Sequence, residues 1–506
     1  MKKLLIMVFA LAPAMVQGQN AFAEYQKKKE RQHQAYIDGK SNKFTEYQER
    51  KRKQFEEYRK RKNAEFVKYL GHEWVPMPKK DPIPIPRQPE PVKPVVVPKD
   101  KANPLPEKPV EVPKGEVVPV PQPRQEPPLE IPQPNPDTKP QADKMRIDFY
   151  GLSLPISMNG RLKFELKNLS EKDIASVWDR LSDDAYTPMF DDCAQLIQDL
   201  RLNGWATLKL CQAVGEALEG KGTNGAVVLQ TYLLTQLGYD ARMVRAGNSR
   251  LLMICPSTEM LCQIAYMTIN GKNYFIFGDV PNDSTIHTYK NNFDAATRSI
   301  DFGGATAIRF DTKLSPEKTF TSTWNVNATV SVSVNRNLIS FYEGMPFVKD
   351  WSFYARQQMD RDLQQRLLPV MRSVTAGKDE LATTNELLHF VQTAFVYKTD
   401  EEQFKREKTD FKEELFYDEA CDCEDRAILF SDLVHNLLGL DVVLLHYPNH
   451  MCTAVRFKGN VNGDCVDVKG LKYVICDPTY INASVGSCMP KFKAVKPTIY
   501  KVYNDI

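Results

Sequence analysis

The chain has 506 residues, more than one hydrophobic core can organise, so two to four domains are expected. Its 67 Lys and Arg against 64 Asp and Glu leave a net charge of +3, which gives no reason to expect a nucleic-acid partner. An apolar content of 42% is enough for globular cores, whereas the 34 prolines call for a segment that is not globular.

The first residues read as a secretory signal. Lys2 and Lys3 form a basic start, and Leu4 to Val16 form an apolar run too short to span a bilayer. Val16-Gln17-Gly18 suits cleavage before Gln19, with cleavage after Ala23 as the alternative. A signal peptide over 1–18 implies an exported protein, periplasmic or secreted, and no later run is apolar enough for a membrane span.

Residues 19–75 carry an internal repeat. Phe22, His33, Phe44, Phe55 and Phe66 are spaced by eleven, as are Tyr25, Tyr36, Tyr47, Tyr58 and Tyr69. Eleven residues make three turns of slightly under-wound helix, so the aromatics fall in one narrow stripe that wants a partner surface. Self-association through a coiled helix is expected ahead of a membrane-surface or envelope-binding role. Residues 76–143 then hold 22 of the 34 prolines, among Val, Lys, Glu and Gln. Proline removes backbone donors and biases its neighbours to extended geometry, so this stretch reads as a semi-rigid linker and stalk.

From residue 144 the composition turns globular. Helices are expected around 172–220, followed by a buried helix in GTNGAVVLQTYLLTQLGYDARMV that Gly238 ends before a strand. The runs CQIAYMTI and NYFIFGD, separated by an Asn-Gly-Lys turn, read as strands. So do NATVSVSV and NLISFY within 324–342, while 352–373 and 379–394 read as helices. All ten cysteines lie after residue 190, and their pairing cannot be deduced from spacing.

The chemistry is concentrated in YDEACDCEDRAILFSDLVHNLLGLDVVLLHYPNHMCTAVRF and the later YVICDPTY. Ala427, Phe430, Leu433, Val434, Leu437 and Leu438 recur at helical spacing up to Gly439, so a helix starts near Cys423. A thiol at that position feels the unpaired N–H groups and positive dipole end, both of which favour thiolate. Asp422, Glu424 and Asp425 oppose this. Val442 to Leu445 and MCTAVRF read as strands, with His450 at the mouth of the second. A third, Lys472 to Cys476, ends at Asp477, where Pro478 stops the ladder. If the strands run antiparallel, His450 and Asp477 can meet. A zinc site of Cys421, Cys423, His446 and His450 is disfavoured, because Cys-x-Cys is poor chelate spacing and a proline turn splits the histidines. No metal or other cofactor is expected.

CEDRA, an apolar helix with its Gly, a strand-initiating His and then DPT together resemble the transglutaminase-like superfamily, over roughly 380–506. The resemblance implies an α+β, papain-like fold in 321–506, in which Cys423 is nucleophile, His450 base and Asp477 orienter. It implies a cysteine hydrolase acting on a protein or peptide through a thioester. A transamidase on the same residues, or a non-catalytic envelope scaffold, are the alternatives. This chain departs from the family's habit in having Cys421 two residues before the thiol and His-Met-Cys-Thr-Ala after it. Residues 144–320 are expected to be a degenerate copy. Placing Ala226 on Ala427 puts Gly238 on Gly439 and Gly222 on Cys423, with Asp279 near Asp477 and no His in CQIAYMTI.

Overall fold

The structure, a computed structural model, describes residues 46–47, 49–85, 93–99, 108–121, 143–281 and 285–503. The signal peptide, the first half of the eleven-residue repeat and much of the proline-rich span lie outside these residues. The described residues fall into two units, those up to 62 in one and those from 63 onward in the other. All the strands named below belong to the second unit.

A helix, α1, covers residues 49–70. Phe66 is buried against the rings of Trp178, Tyr289 and Phe293 at 5.1, 5.6 and 5.8 Å, while Tyr69 stays 48% exposed. At Phe66 the aromatic stripe therefore finds its partner within the chain, in the domain that follows, and the tyrosine column faces outward. Next come short strands β1 (Val75–Met77), β2 (Val95–Val96), β3 (Glu111–Val112) and β4 (Val117–Val118). Each pairs with a strand of the globular part. The described parts of the proline-rich span thus run along sheet edges instead of standing off as a stalk. That is where proline is tolerated, since an edge strand needs only half of its backbone bonded.

A hairpin of β5 (Lys144–Phe149) and β6 (Leu152–Ser157) leads to helices α2 (Glu171–Leu181), α3 (Thr187–Leu200), α4 (Gly204–Glu219) and α5 (Asn224–Gln236). Ser170, Asn203 and Thr223 cap α2, α4 and α5 by accepting backbone N–H bonds. Strands β7 (Arg242–Ala246), β8 (Arg250–Pro256), β9 (Tyr266–Ile269), β10 (Lys272–Phe277) and β11 (Ile286–Thr288) form a sheet ordered β1-β11-β7-β8-β10-β9, every pair antiparallel. Its core includes Val244, Leu252, Ile254, Tyr274 and Ile276.

A hairpin of β12 (Lys318–Thr321) and β13 (Thr329–Val332) follows, then α6 (Arg336–Glu343), α7 (Trp351–Arg356), α8 (Arg361–Thr375), α9 (Glu380–Ala394), α10 (Asp400–Gln403) and α11 (Lys412–Tyr417). NLISFY is therefore helical. Asn335 caps α6 through Asn337, and Leu338, Ile339, Phe341 and Tyr342 are buried at helical spacing. The helix expected over 352–373 is two, parted where Asp360 caps α8. The last domain comprises α12 (Cys423–Leu438), β14 (Asp441–Tyr447), β15 (His450–Arg456), β16 (Cys465–Val468), β17 (Leu471–Cys476), β18 (Tyr480–Ile481) and β19 (Thr498–Lys501). Its sheet runs β3-β16-β17-β15-β14-β19-β4, antiparallel except for the parallel edges β3 and β4. The fold is mixed α+β with antiparallel sheets.

Five strands of the two sheets share one topology, β11-β7-β8-β10-β9 matching β19-β14-β15-β17-β16. In each a helix ends at a glycine with positive φ, Gly238 or Gly439, and leads into a strand whose neighbours follow in the same order. The register makes β8 the counterpart of β15. Met243 pairs with Met253 where Leu444 pairs with Thr453, and those partners pair in turn with Phe277 and Cys476. Arg250 thereby takes the place of His450, and Gly278 that of Asp477. The counterpart of the His strand is thus RLLMICP and not CQIAYMTI, whose strand β9 matches the outer β16.

Candidate active site

Cys423 is the first residue of α12, after the N-cap Asp422. Asp425 fixes that start. Its Oδ2 accepts the N–H of Asp422 at 3.1 Å and its Oδ1 that of Asp410 at 2.8 Å. Arg426, 1% exposed, ties the same turn to its surroundings, donating to the carbonyls of Gln392 and Phe395 at 3.2 and 2.8 Å and to the Cys421 sulfur at 3.4 Å.

His450 opens β15 directly across from Tyr447, and β17 runs antiparallel beside it. His450 Nε2 donates to Asp477 Oδ2 at 2.9 Å. Asp477 is itself held, its Oδ1 accepting the N–H groups of Thr479 and Tyr480 at 2.9 and 3.2 Å. The imidazole lies flat against Phe492, with ring centroids 5.0 Å apart and planes 7° apart. With Nε2 committed, the imidazole's remaining nitrogen, Nδ1, has no hydrogen-bond partner among the described residues.

The sulfur lies beside the backbone that carries the imidazole. The N–H of Met451 points at Cys423 Sγ at 3.4 Å, and the thiol donates to Glu424 Oε2 at 3.2 Å. The three residues singled out in the sequence are therefore adjacent, but only His450 and Asp477 are joined directly. The thiol's proton goes to the neighbouring carboxyl, not to the imidazole. All three are buried, at 0%, 0% and 3% exposure for Cys423, His450 and Asp477.

The acids that flank the thiol do not oppose it with full charge. Burial, then the proximity of Cys423, raises Glu424 well above the ordinary carboxyl range. Burial and the neighbouring Glu424 do the same to Asp422. Asp400, Asp422 and Asp425 each bring a carboxylate oxygen within 4.8 Å of the others, a hard-cation type of donor set. His450, Cys452 and Asp477 are equally close, but there the His450–Asp477 hydrogen bond already uses one donor pair. His446 packs on Trp351 at 4.4 Å, and burial pushes its imidazole down to about 4. His435 stacks on Tyr503 at 3.6 Å.

Two supports carry no signal in the sequence. Gln392, 2% exposed, donates from Nε2 to the carbonyls of Asp477, Tyr480 and Ala483 at 3.0, 2.8 and 3.0 Å, and its Oε1 accepts from Asn482. It holds the loop that carries the acid. Phe492 backs the imidazole. Neither sits in a local motif, and each acts across a large sequence separation. Compared with protein-family models, curated proteins and solved structures, the chain matches none.

Proposed function

We propose that the chain is an exported cysteine hydrolase of transglutaminase-like, papain-like type, cleaving peptide or amide bonds with Cys423 as nucleophile, His450 as base and Asp477 as orienter. One observation carries this reading. An imidazole anchored through Nε2 to a buried carboxylate leaves Nδ1 available, and the next residue's amide touches the sulfur of a helix-opening cysteine.

In the reaction the thiol turns from Glu424 to Nδ1 and gives up its proton. Asp477 holds the Nε2–H tautomer and stabilises the imidazolium that forms. The thiolate attacks the substrate carbonyl, whose oxygen meets the N–H of Cys423 at the helix N-terminus. The imidazolium protonates the leaving amine, and water, activated by the same ring, opens the thioester. Because the three residues are buried, substrate reaches them only after part of their covering moves, and Phe492, stacked on the imidazole, belongs to that covering. That complete burial is also what favours the second reading, a non-catalytic envelope scaffold.

p-Nitrophenyl acetate tests the proposal without knowledge of the natural substrate. The expected result is a burst of nitrophenolate and an acetyl thioester on Cys423, detected by mass spectrometry of the intact chain and absent from His450→Ala. Turnover by water alone supports a hydrolase, whereas transfer to an added primary amine supports a transamidase. No adduct on Cys423, or one indifferent to His450, overturns the enzymatic reading.

A further inference from the structure

A sizeable cavity lies away from Cys423. It has a volume of about 810 Å³ and opens in the preceding domain at the N-terminus of α5. Its wall contains Arg250 and Gly278, which the strand registers place at His450 and Asp477, and Gly222, which precedes the N-cap of α5 where Cys423 opens α12. The duplicate has therefore kept a site at the equivalent position and lost the groups that would react there.

The replacements explain why this copy is open where the other is closed. A Cβ added at Gly222, just before the N-cap of α5, would meet nothing within 4 Å, so the space beside it is open. The amide that touches the sulfur in the last domain, that of Met451, corresponds to that of Leu251. Here it donates instead to Asn224 Oδ1 at 2.9 Å, and Asn224 Nδ2 reaches the carbonyl of Ser249 at 3.0 Å. A side-chain amide thus takes over the contact made by the thiol and fixes the start of α5. Arg250 is exposed at the mouth, in the position where the imidazole is buried in the other copy.

The lining also carries an unmet demand. Trp205 is 5% exposed and stacked on Phe302 at 5.5 Å, with Lys209 Nζ 5.2 Å over its ring. Its indole Nε1–H has no acceptor among the described residues. A buried donor left unbonded costs roughly 1–3 kcal/mol, and this nitrogen is closed to solvent, so what the ring offers the cavity is its apolar surface. Around it the wall is rich in side-chain amides, Gln212, Gln230 and Gln263, with cations and anions in equal number. Such a surface offers alternating donors and acceptors without a dominant charge. That suits the repeating C=O and N–H of an extended polypeptide better than a lipid tail or a polyphosphate.

We infer that the domain of residues 144–320 is a non-catalytic peptide-binding module, whose cleft between α4, α5, β8 and β10 holds an extended polypeptide segment against the indole of Trp205. The choice of a polypeptide as ligand class rests on the hydrolase reading of Cys423; the cleft itself does not. In an enzyme, the module would raise the local concentration of substrate chain near the catalytic domain.

The test pans a random-peptide phage library on the full chain carrying Cys423→Ala, so that no bound peptide is cleaved. Enriched peptides are then synthesised and their affinities measured. They are expected to shift tryptophan emission in a way that Trp205→Phe abolishes. Arg250→Glu at the exposed mouth and Gln212→Trp, which fills the cavity, should each weaken binding about tenfold or more. Failure to enrich any peptide, or enriched peptides indifferent to both substitutions, overturns the inference. Acylation of Cys423 in the unsubstituted chain is read separately: a chain that binds through Trp205 but is never acylated keeps the module and loses the enzyme.

Discussion

The Cys423 thiol donates to Glu424 Oε2 at 3.2 Å, and this contact bears on the proposed reaction. A protonated Glu424 leaves the thiol neutral and inert until the sulfur rotates. Replacing Glu424 with Gln keeps the hydrogen-bonding shape and removes the titratable group, so Cys423 acylation in this variant should lose its dependence on that proton. The check is the pH profile of nitrophenolate burst rate in the two chains. Asp477→Asn should lower the acylation rate constant by about 10²–10⁴, because the imidazole is no longer held in the productive tautomer. Gln392→Ala should remove one hydrogen bond from each of three carbonyls and one from the Asn482 N–H, although the Asp477 and Tyr480 carbonyls keep a backbone donor. A loss of roughly 2–3 kcal/mol in urea unfolding is expected, without a change in the labelled residue. The cysteine, histidine and aspartate are legible in the sequence because each sits at an element boundary that local pattern marks: a helix start, a strand start and an Asp-Pro stop. Glu424 is legible only as an opposing charge. Its role depends on burial, which raises its pKa and which spacing does not reveal.

At the scale of elements, periodicity works where one face is apolar and fails where the chain is apolar throughout. The helix α12 and strands β14, β15 and β17 lie close to where pattern and turn residues put them. The continuous run of β8 offers no alternation to read, although Gly247-Asn248-Ser249 marks a turn before it, and without that strand the duplicate's alignment shifts by one. NLISFY suggests a strand by its β-branched and aromatic content, whereas capping by Asn335 and burial of one face settle a helix. In α1 the two aromatic columns part company. Phe66→Ala should cost about 3–5 kcal/mol, while Tyr69→Ala should cost under ~1 kcal/mol, as measured by chemical denaturation.

Burial of acids around α11 and α12 gives a second prediction at this scale. Burial pushes Glu413 up to about 7 and Glu414 to about 8, and it raises Asp400 and Asp425 as well. Between the ordinary carboxyl range and these values the folded chain holds protons that the unfolded chain releases. Stability from these groups is therefore complete only below the ordinary carboxyl range, and it is lost progressively as pH rises from there to about 7 to 8. The melting temperature of chelator-treated protein should fall by several degrees, about 4–8 °C, from pH 5.5 to pH 8.5. A rise over that interval would mean the acids are ionised and paired.

Across the whole molecule the chain reads as one helix-and-sheet plan used twice, one copy closed over a thiol and the other open over a cleft. The proline-rich span contributes to both domains, since β1 borders the first sheet and β3 and β4 the second. Val112 is fully buried within the last domain's core. A chain beginning at residue 143 should therefore expose three sheet edges, at β11, β16 and β19, melt lower and self-associate in light scattering. A free stalk would leave melting unchanged. Composition marks the prolines but not their pairing, because edge strands of two residues carry no periodicity to read.

The central claim is that Cys423 can pass its proton to His450. It is tested most directly by the rate of iodoacetamide alkylation at each cysteine across pH 5 to 9, in the unsubstituted chain and in His450→Ala. Cys423 is expected to react at mildly acidic pH ahead of the other nine, and this advantage is expected to disappear in His450→Ala. A Cys423 that reacts only at alkaline pH, at a rate the substitution leaves unchanged, would contradict it.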